Sequence, residues 1–244
     1  MFKKYWKFFV IFWSVVLVGI IGVFVFFWLI SAGKLGFMPT FEELENPNNR
    51  FASEVYFADG PIMNRYFEKE NRKYIEYREI PQSVIDALIA TEDVRFYDHS
   101  GVDVRGLFRV AKGLLTANTS AGGGSTISQQ LAKMLFPRES DLNVFELAIR
   151  KFREWVIAVR LEKSYTKEEI LTMYLNKYDF LNLAVGISSA ADIYFQVPLD
   201  SLKVEQAAML IGMAKNSSYY NPVRRPELTL NRRNVVLSQM YKYD

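Results

Sequence analysis

The 244-residue chain has no cysteine and a single histidine, His99. Disulfides are therefore excluded, and a zinc site built from Cys and His cannot be assembled. The lack of cysteine leaves an extracytoplasmic location open, because it removes only one of the marks such proteins carry. A strong charge of one sign is missing too. The 30 Lys and Arg against 27 Asp and Glu leave a formal +3, which does not call for a nucleic-acid partner. No internal repeat is visible. A composition that is 50% hydrophobic and 15% aromatic excludes a disordered chain, and the length allows one substantial domain with small attachments.

The most informative absence is local. From Phe8 to Ile30 no residue is charged, and the run matches the roughly 20 apolar residues that cross a bilayer. It predicts a transmembrane helix over 8–30. A cleaved signal peptide has a shorter apolar core, about 7–15 residues, so the segment reads as an uncleaved anchor. Lys3, Lys4 and Lys7 precede it, which leaves residues 1–7 in the cytoplasm and everything after the helix outside. Gly33, Gly36, Pro39 and Pro47 break any period over 31–52, a stalk leading into a domain at 53–244.

In that domain Asp59-Gly60 lies between two short β-prone runs and predicts a hairpin over 53–66, although Pro61 weakens the signal. From Pro81 onward the pattern turns helical, with Val84, Ile85, Leu88 and Ile89 on one stripe. Apolar-patterned segments cover 126–136, 143–162, 167–177, 186–195 and 203–214, and 231–244 continues as a further helix. Thr126 with Gln129, and Thr166 with Glu169, have the spacing of a capping box. The domain should be mainly α.

Four polar sets are not needed by these patterns. Glu92 falls in line with Ile85 and close to Leu88 and Ile89, on the apolar side of its helix. Desolvation there would raise its pKa and suit it to general-base work; a Glu at a helix end that turns out to water is the plain alternative. Thr126, Gln130 and Lys133 share one stripe of the next helix, beside a packing stripe of Ile127, Leu131, Met134 and Leu135. Gly122, Gly123 and Gly124 before that helix suit close approach of a phosphate to a positive helix end, or else form a flexible loop before a solvated face. Arg150 and Glu154 form an i, i+4 pair, with Lys151 and Arg153 adding positive charge, which alone would be an ordinary surface salt bridge. A lone His99 more often fixes a loop than performs catalysis, and is read as structural.

In order and spacing these sets resemble the motifs of glycosyltransferase family 51, the polymerase module of class A penicillin-binding proteins and of monofunctional glycosyltransferases. The likeness runs over roughly 53–226. Glu92-Asp93-x-x-Phe96-x-x-His99-x-Gly101 resembles the first motif and GGSTISQQLAK, Gly123 to Lys133, the second. Arg150-Lys151-x-x-Glu154 resembles the third, ILTMYLN up to Asn176 the fourth, and EQAAMLIGMAK with Tyr220–Pro222 the last. Met134 stands where the family usually has Asn, and Leu181 and Val185 where it usually has Gly and Tyr.

The resemblance implies a lysozyme-like, mainly α fold with a small membrane-associated lobe at about 100–124, where GLFRVAKGLL is amphipathic and basic. It implies a peptidoglycan glycosyltransferase that polymerises lipid II into β-1,4-linked glycan on the outer face of a bacterial inner membrane, most simply as the N-terminal part of a bifunctional enzyme. Glu92 would be the base and Glu154 a second catalytic carboxylate. Asp93, Thr126, Gln130, Lys133, Arg150 and Lys151 would bind substrate, and Phe96, His99, Gly101, Gly123, Gly124, Ser125 and Asn176 would support the site. Expected partners are lipid II, the growing glycan on undecaprenyl pyrophosphate, membrane lipids, moenomycin-type inhibitors and other cell-wall synthesis proteins. No organic cofactor is expected, whereas Glu154 could either orient Arg150 and Lys133 or help hold Mg or Mn against the pyrophosphate. A lysozyme-type hydrolase would also want two carboxylates, but its leaving group gives the cationic stripe nothing to meet. A lipid II-binding scaffold is the non-enzymatic alternative.

Overall fold

The computed structural model describes residues 2–40, 53–56, 62–66, 71–116, 123–135 and 143–243. Helix α1 spans Phe2–Ser31, and its stretch Tyr5–Ser31 is the one described helix long and apolar enough to cross a membrane. Its C-terminal end is docked on α5, Val144–Ser164. Phe26 and Phe27 meet the Phe152 ring edge-on, with centroids 5.4 and 5.7 Å apart. Arg160 donates to the Ser31 carbonyl at 2.8 Å, to its hydroxyl at 2.7 Å and to the Pro39 carbonyl at 3.0 Å. Gly36 lets the chain pass close beneath, since at φ +109° an added Cβ would lie 2.3 Å from the Arg153 guanidinium. Residues 31–40, read from their composition as the start of a stalk, are thus fastened to α5 at several points. The rest of that segment, 41–52, lies outside the described residues.

Strands β1, Ser53–Tyr56, and β2, Ile62–Tyr66, pair antiparallel with a register shift at Val55/Tyr56. This is the predicted hairpin, though its Asp59-Gly60 turn lies outside the described residues. A second, two-residue ladder is parallel, between β3, Asn71–Arg72, and β4, Ala184–Val185.

The remaining helices are α2 Gln82–Glu92, α3 Val104–Leu115, α4 Ile127–Leu135, α6 Lys167–Lys177, α7 Ile187–Phe195, α8 Val204–Met213 and α9 Pro226–Tyr243. Each predicted helical segment is present with ends shifted by a residue or two, except that α1 and α9 start earlier than expected. Thr166 and Glu169 form the full capping box, at 3.3 and 2.7 Å. Thr126 does only half of it. Its hydroxyl caps the Gln129 N–H at 3.2 Å, but the Gln129 amide turns away to the Gly101 carbonyl at 3.1 Å. The core gathers Leu88, Phe96, Ile127, Leu131, Leu161, Leu171 and Tyr174, all buried. Helix α2 packs against α8 and α9, and α4 against α5 and α6.

The positions that depart from the family pattern have local explanations. Leu181, Asn182 and Leu183 all adopt positive φ, at 65°, 52° and 68°, a conformation in which a Cβ crowds the following carbonyl. Leu181 thus keeps a backbone shape suited to the usual Gly. Val185 is held in β4, and Met134 packs partly buried against the core.

Two outcomes are expected. Arg160→Ala should lower stability in detergent by about 1.5–3 kcal/mol, the scale of charged hydrogen bonds, and should speed proteolysis within 31–52; unchanged values of both would mean that the docking contributes nothing. Leu183→Asn should raise stability by about 0.5–1 kcal/mol in urea unfolding, because Asn tolerates the left-handed backbone and the Leu side chain is largely exposed.

Candidate active site

Glu92 is the last residue of α2, where the negative end of the helix dipole disfavours an anion. The surroundings supply what the helix withholds. Its Oε2 accepts from Gln130 Nε2 at 3.0 Å and its Oε1 from Arg232 at 3.2 Å. Helix-wheel geometry alone placed Glu92 as a lone carboxylate on an apolar side; instead it is paired with a cation from α9, and both side chains are nearly buried, at 13% and 11% exposure. Arg232 is itself held by the Gly212 carbonyl at 3.4 Å and lies 5.8 Å from the Tyr220 ring. Gln130 is held by the Tyr174 hydroxyl, which donates to its Oε1 at 3.1 Å.

The neighbouring Asp93 has a different occupation. Both of its oxygens lie 3.0–3.1 Å from His99 Nε2, and one also accepts the Ile127 N–H at 3.0 Å. His99 Nδ1 accepts the Gly101 N–H at 3.2 Å, which fixes the Nε2–H tautomer. The positive end of α4, expected to receive a phosphate, is therefore already met by the chain's own Asp93 and by the Thr126 hydroxyl. Thr126 is buried and also donates to the Gly101 carbonyl at 2.7 Å. Gly101 sits at φ +95°, where an added Cβ would lie 2.7 Å from the Ala158 carbonyl carbon. Only glycine fits that approach. Phe96 is fully buried with Lys167 Nζ 4.2 Å over its ring, and Asn176 exchanges two hydrogen bonds with the Ile75 backbone at 2.9 and 3.0 Å.

A cavity of about 520 Å³ opens over Glu92. Of the expected residues it is lined by Glu92, Asp93, Gly123, Gly124, Ser125, Thr126 and Gln130, and its walls also carry Arg95, Arg109, Lys215, Arg232 and Lys242. Arg95 is paired to Asp103, and this hydrogen bond holds the guanidinium pKa above its ordinary value. Burial works against ionisation of Asp103, but hydrogen bonds from Arg95 and the Gly106 N–H outweigh it and hold the carboxyl below its usual range.

Lys133, Arg150, Lys151 and Glu154 do not line this cavity. Glu154 Oε2 lies 3.2 Å from Lys151 and 3.7 Å from Lys133. Lys151 donates further to Ser125 Oγ at 2.9 Å and Gln129 Oε1 at 3.1 Å. A carboxylate already shared by two ammonium groups is a poor ligand for a divalent cation, and the described residues contain no group of three or more His, Cys, Asp or Glu that could hold a metal. Among the described residues no set of side chains would hold Mg or Mn without oxygens supplied by a substrate.

Sequence reasoning missed Arg232 and Tyr174. The apolar-face Glu92 was itself the signal for the first, since a buried carboxylate demands a cation; which Arg or Lys would answer is a tertiary matter. Tyr174 sits among core residues of α6, and a buried hydroxyl needs a partner, but its sequence gives no direction.

A family model described as Transglycosylase matches residues 59–241. Penicillin-binding protein 1A of Escherichia coli (strain K12) is 38% identical over 203 residues, which cover 83% of this chain and 23% of the relative. The protein of that name from Neisseria lactamica is 36% identical over 203 residues, 83% of this chain and 25% of the relative. The chain thus spans about a quarter of the length of these curated relatives. A crystal structure of penicillin-binding protein 1A from Haemophilus influenzae aligns with a TM-score of 0.42 at 23% identity, over 81% of this chain and 19% of that one.

Asp93→Ala should act mainly on folding, because it strips His99 and the Ile127 N–H of their shared acceptor. A loss of about 2–4 kcal/mol is expected in urea unfolding; a variant as stable as the parent would show that these contacts are incidental.

Proposed function

Because the chain belongs to the transglycosylase family, we propose that it is a peptidoglycan glycosyltransferase acting on lipid II with Glu92 as general base. The observation that carries this reading is the Glu92 carboxylate on the wall of a polar, cation-rich cavity, with each oxygen held in place and lone pairs remaining. Glu92 takes the proton of the acceptor GlcNAc 4-hydroxyl as that oxygen attacks C1 of the donor MurNAc. The C1–O bond to undecaprenyl pyrophosphate breaks, and a β-1,4 link forms with inversion. Negative charge then gathers on the departing pyrophosphate, where fixed cations are worth most.

Lys133 and Arg150 carry that leaving-group role in the resemblance, and Lys133 lies one turn along α4 from Gln130. The cavity cations Arg109, Lys215 and Lys242 extend the same positive field. Glu154 serves as an orienting group for Lys133 and Lys151 rather than as a metal ligand. A moenomycin-type inhibitor would present its phosphate to the same cations. A hydrolase would need a second carboxylate across the scissile bond, and Glu154, engaged by two lysines away from the cavity, favours transfer instead.

The N-terminal helix anchors the protein in a bacterial inner membrane in a single pass, with Lys3, Lys4 and Lys7 inside. Val104 and Phe108 on α3, and Val144 and Phe145 at the start of α5, are all more than half exposed. Their apolar surfaces suit the bilayer interface through which a lipid-linked substrate must arrive.

Glu92→Gln should reduce lipid II polymerisation at least about 10²-fold, the low end for general-base assistance. The chain should stay folded, although Arg232 would lose its counter-charge, so stability should fall rather than rise. Incubation with lipid II in detergent, followed by product analysis, distinguishes polymer from cleaved glycan or mere binding. A Glu92→Gln variant that polymerises at the parent rate would remove Glu92 as the base.

A further inference from the structure

We propose that Tyr174 is a positioning residue for the transfer reaction, acting through Gln130 to aim the Glu92 carboxylate; the inference rests on Glu92 being the base. The chain of contacts is continuous. The Tyr174 hydroxyl donates to Gln130 Oε1 at 3.1 Å, and Gln130 Nε2 donates to Glu92 Oε2 at 3.0 Å. Tyr174 is 1% exposed and does not line the cavity, so it does not meet substrate itself. Its ring is fixed by stacking on Tyr178, with centroids 5.8 Å apart, and the Tyr178 hydroxyl is anchored on the Met213 and Ala214 carbonyls at 2.9 Å each.

The need for such a residue follows from the amide. The last torsion of Gln is soft and roughly two-fold, and only one of its two faces can serve a carboxylate. With Nε2 toward Glu92 the contact is attractive; with Oε1 there it is repulsive. A hydroxyl that donates to Oε1 from a rigid ring selects the attractive orientation and limits its swing. Glu92 has particular need of this, because it ends α2 and receives no help from its own helix. Arg232 holds the other oxygen, so the carboxylate is gripped from both sides and its plane is set before an acceptor arrives. Gln130 thereby belongs to the base as much as to the substrate surface.

The test uses the full chain in detergent with lipid II, comparing Tyr174→Phe, which keeps the ring and its stacking, with the parent. The kcat should fall about 3- to 10-fold, the size of one hydrogen bond, while KM stays within about twofold because binding contacts are untouched. Tyr194→Phe is the control for loss of a tyrosine hydroxyl elsewhere, one that bonds to the Phe180 carbonyl and to Asn182, and its kcat should match the parent. In a Gln130→Ala background Tyr174→Phe should cost nothing further, since the path to Glu92 is already cut. An unchanged kcat in Tyr174→Phe, a change confined to KM, or an undiminished cost in the Gln130→Ala background would overturn the proposal. If Gln130→Ala is too slow to assay, the kcat and KM of Tyr174→Phe decide alone. Failure of the base assignment reads differently: Glu92→Gln would then keep the parent rate, whereas failure of this inference alone leaves Glu92→Gln inactive and Tyr174→Phe unaffected.

Discussion

The arrangement of the site depends on one carboxylate that does no chemistry in the proposed reaction. Asp93 binds His99 on one side and the first N–H of α4 on the other, so the loop after α2 and the start of α4 are a single unit. The same unit is closed a second time through the Gly101 carbonyl, which accepts from Thr126 and Gln129. Two stitches of this kind set the separation between the end of α2 and the first turns of α4. Glu92, one residue before Asp93, and Gln130, one turn into α4, then meet at 3.0 Å without either having to search. Both stitches rely on Gly101, whose backbone lies against Ala158 on α5 and ties the unit to a third helix.

This explains why the helices were legible in the sequence and the site only partly so. Segments such as 143–162 and 167–177 declare themselves by apolar period, and the second also by its local cap at Thr166, signals that need no partner from elsewhere. The Glu92, Gln130 and Gly101 positions were legible as motif residues. Their roles were not, because a shared stripe does not say which way the stripe faces. Thr126, Gln130 and Lys133 share one, yet the Thr126 hydroxyl turns to the Gly101 carbonyl, Gln130 Nε2 to Glu92 and Lys133 to Glu154. Arg232 lies 140 residues from Glu92 in sequence. A contact of that separation leaves no periodic trace, and only the unanswered charge of Glu92 hinted that some cation had to arrive.

The cations fall into two sets with different electrostatic settings. Lys133 and Lys151 share Glu154, and Lys151 has two further neutral acceptors, so this set is stiff and partly neutralised. Arg109, Lys215 and Lys242 are exposed on the cavity walls, where their field is screened by water until a substrate displaces it. In the proposed reaction the departing pyrophosphate therefore meets two settings of positive charge, one adaptable and one stiff.

Helix α5 carries Arg150, Lys151 and Glu154 beside Phe152 and Arg160, the two side chains that grip the C-terminal end of α1. Phe152 thus sits between Lys151 and Glu154, and Arg160 follows Glu154 by about 1.7 turns of the same helix. The docking of α1 and the position of Lys151 and Glu154 cannot vary independently when a single α-helix holds both. In the proposed reaction, where the pyrophosphate is tethered to a lipid, the distance from the anchor to the cations of this helix would be part of the binding geometry. The Arg160 contacts with Ser31 and Pro39 accordingly belong to the site's construction as well as to the anchor's, even though none of these residues approaches the cavity.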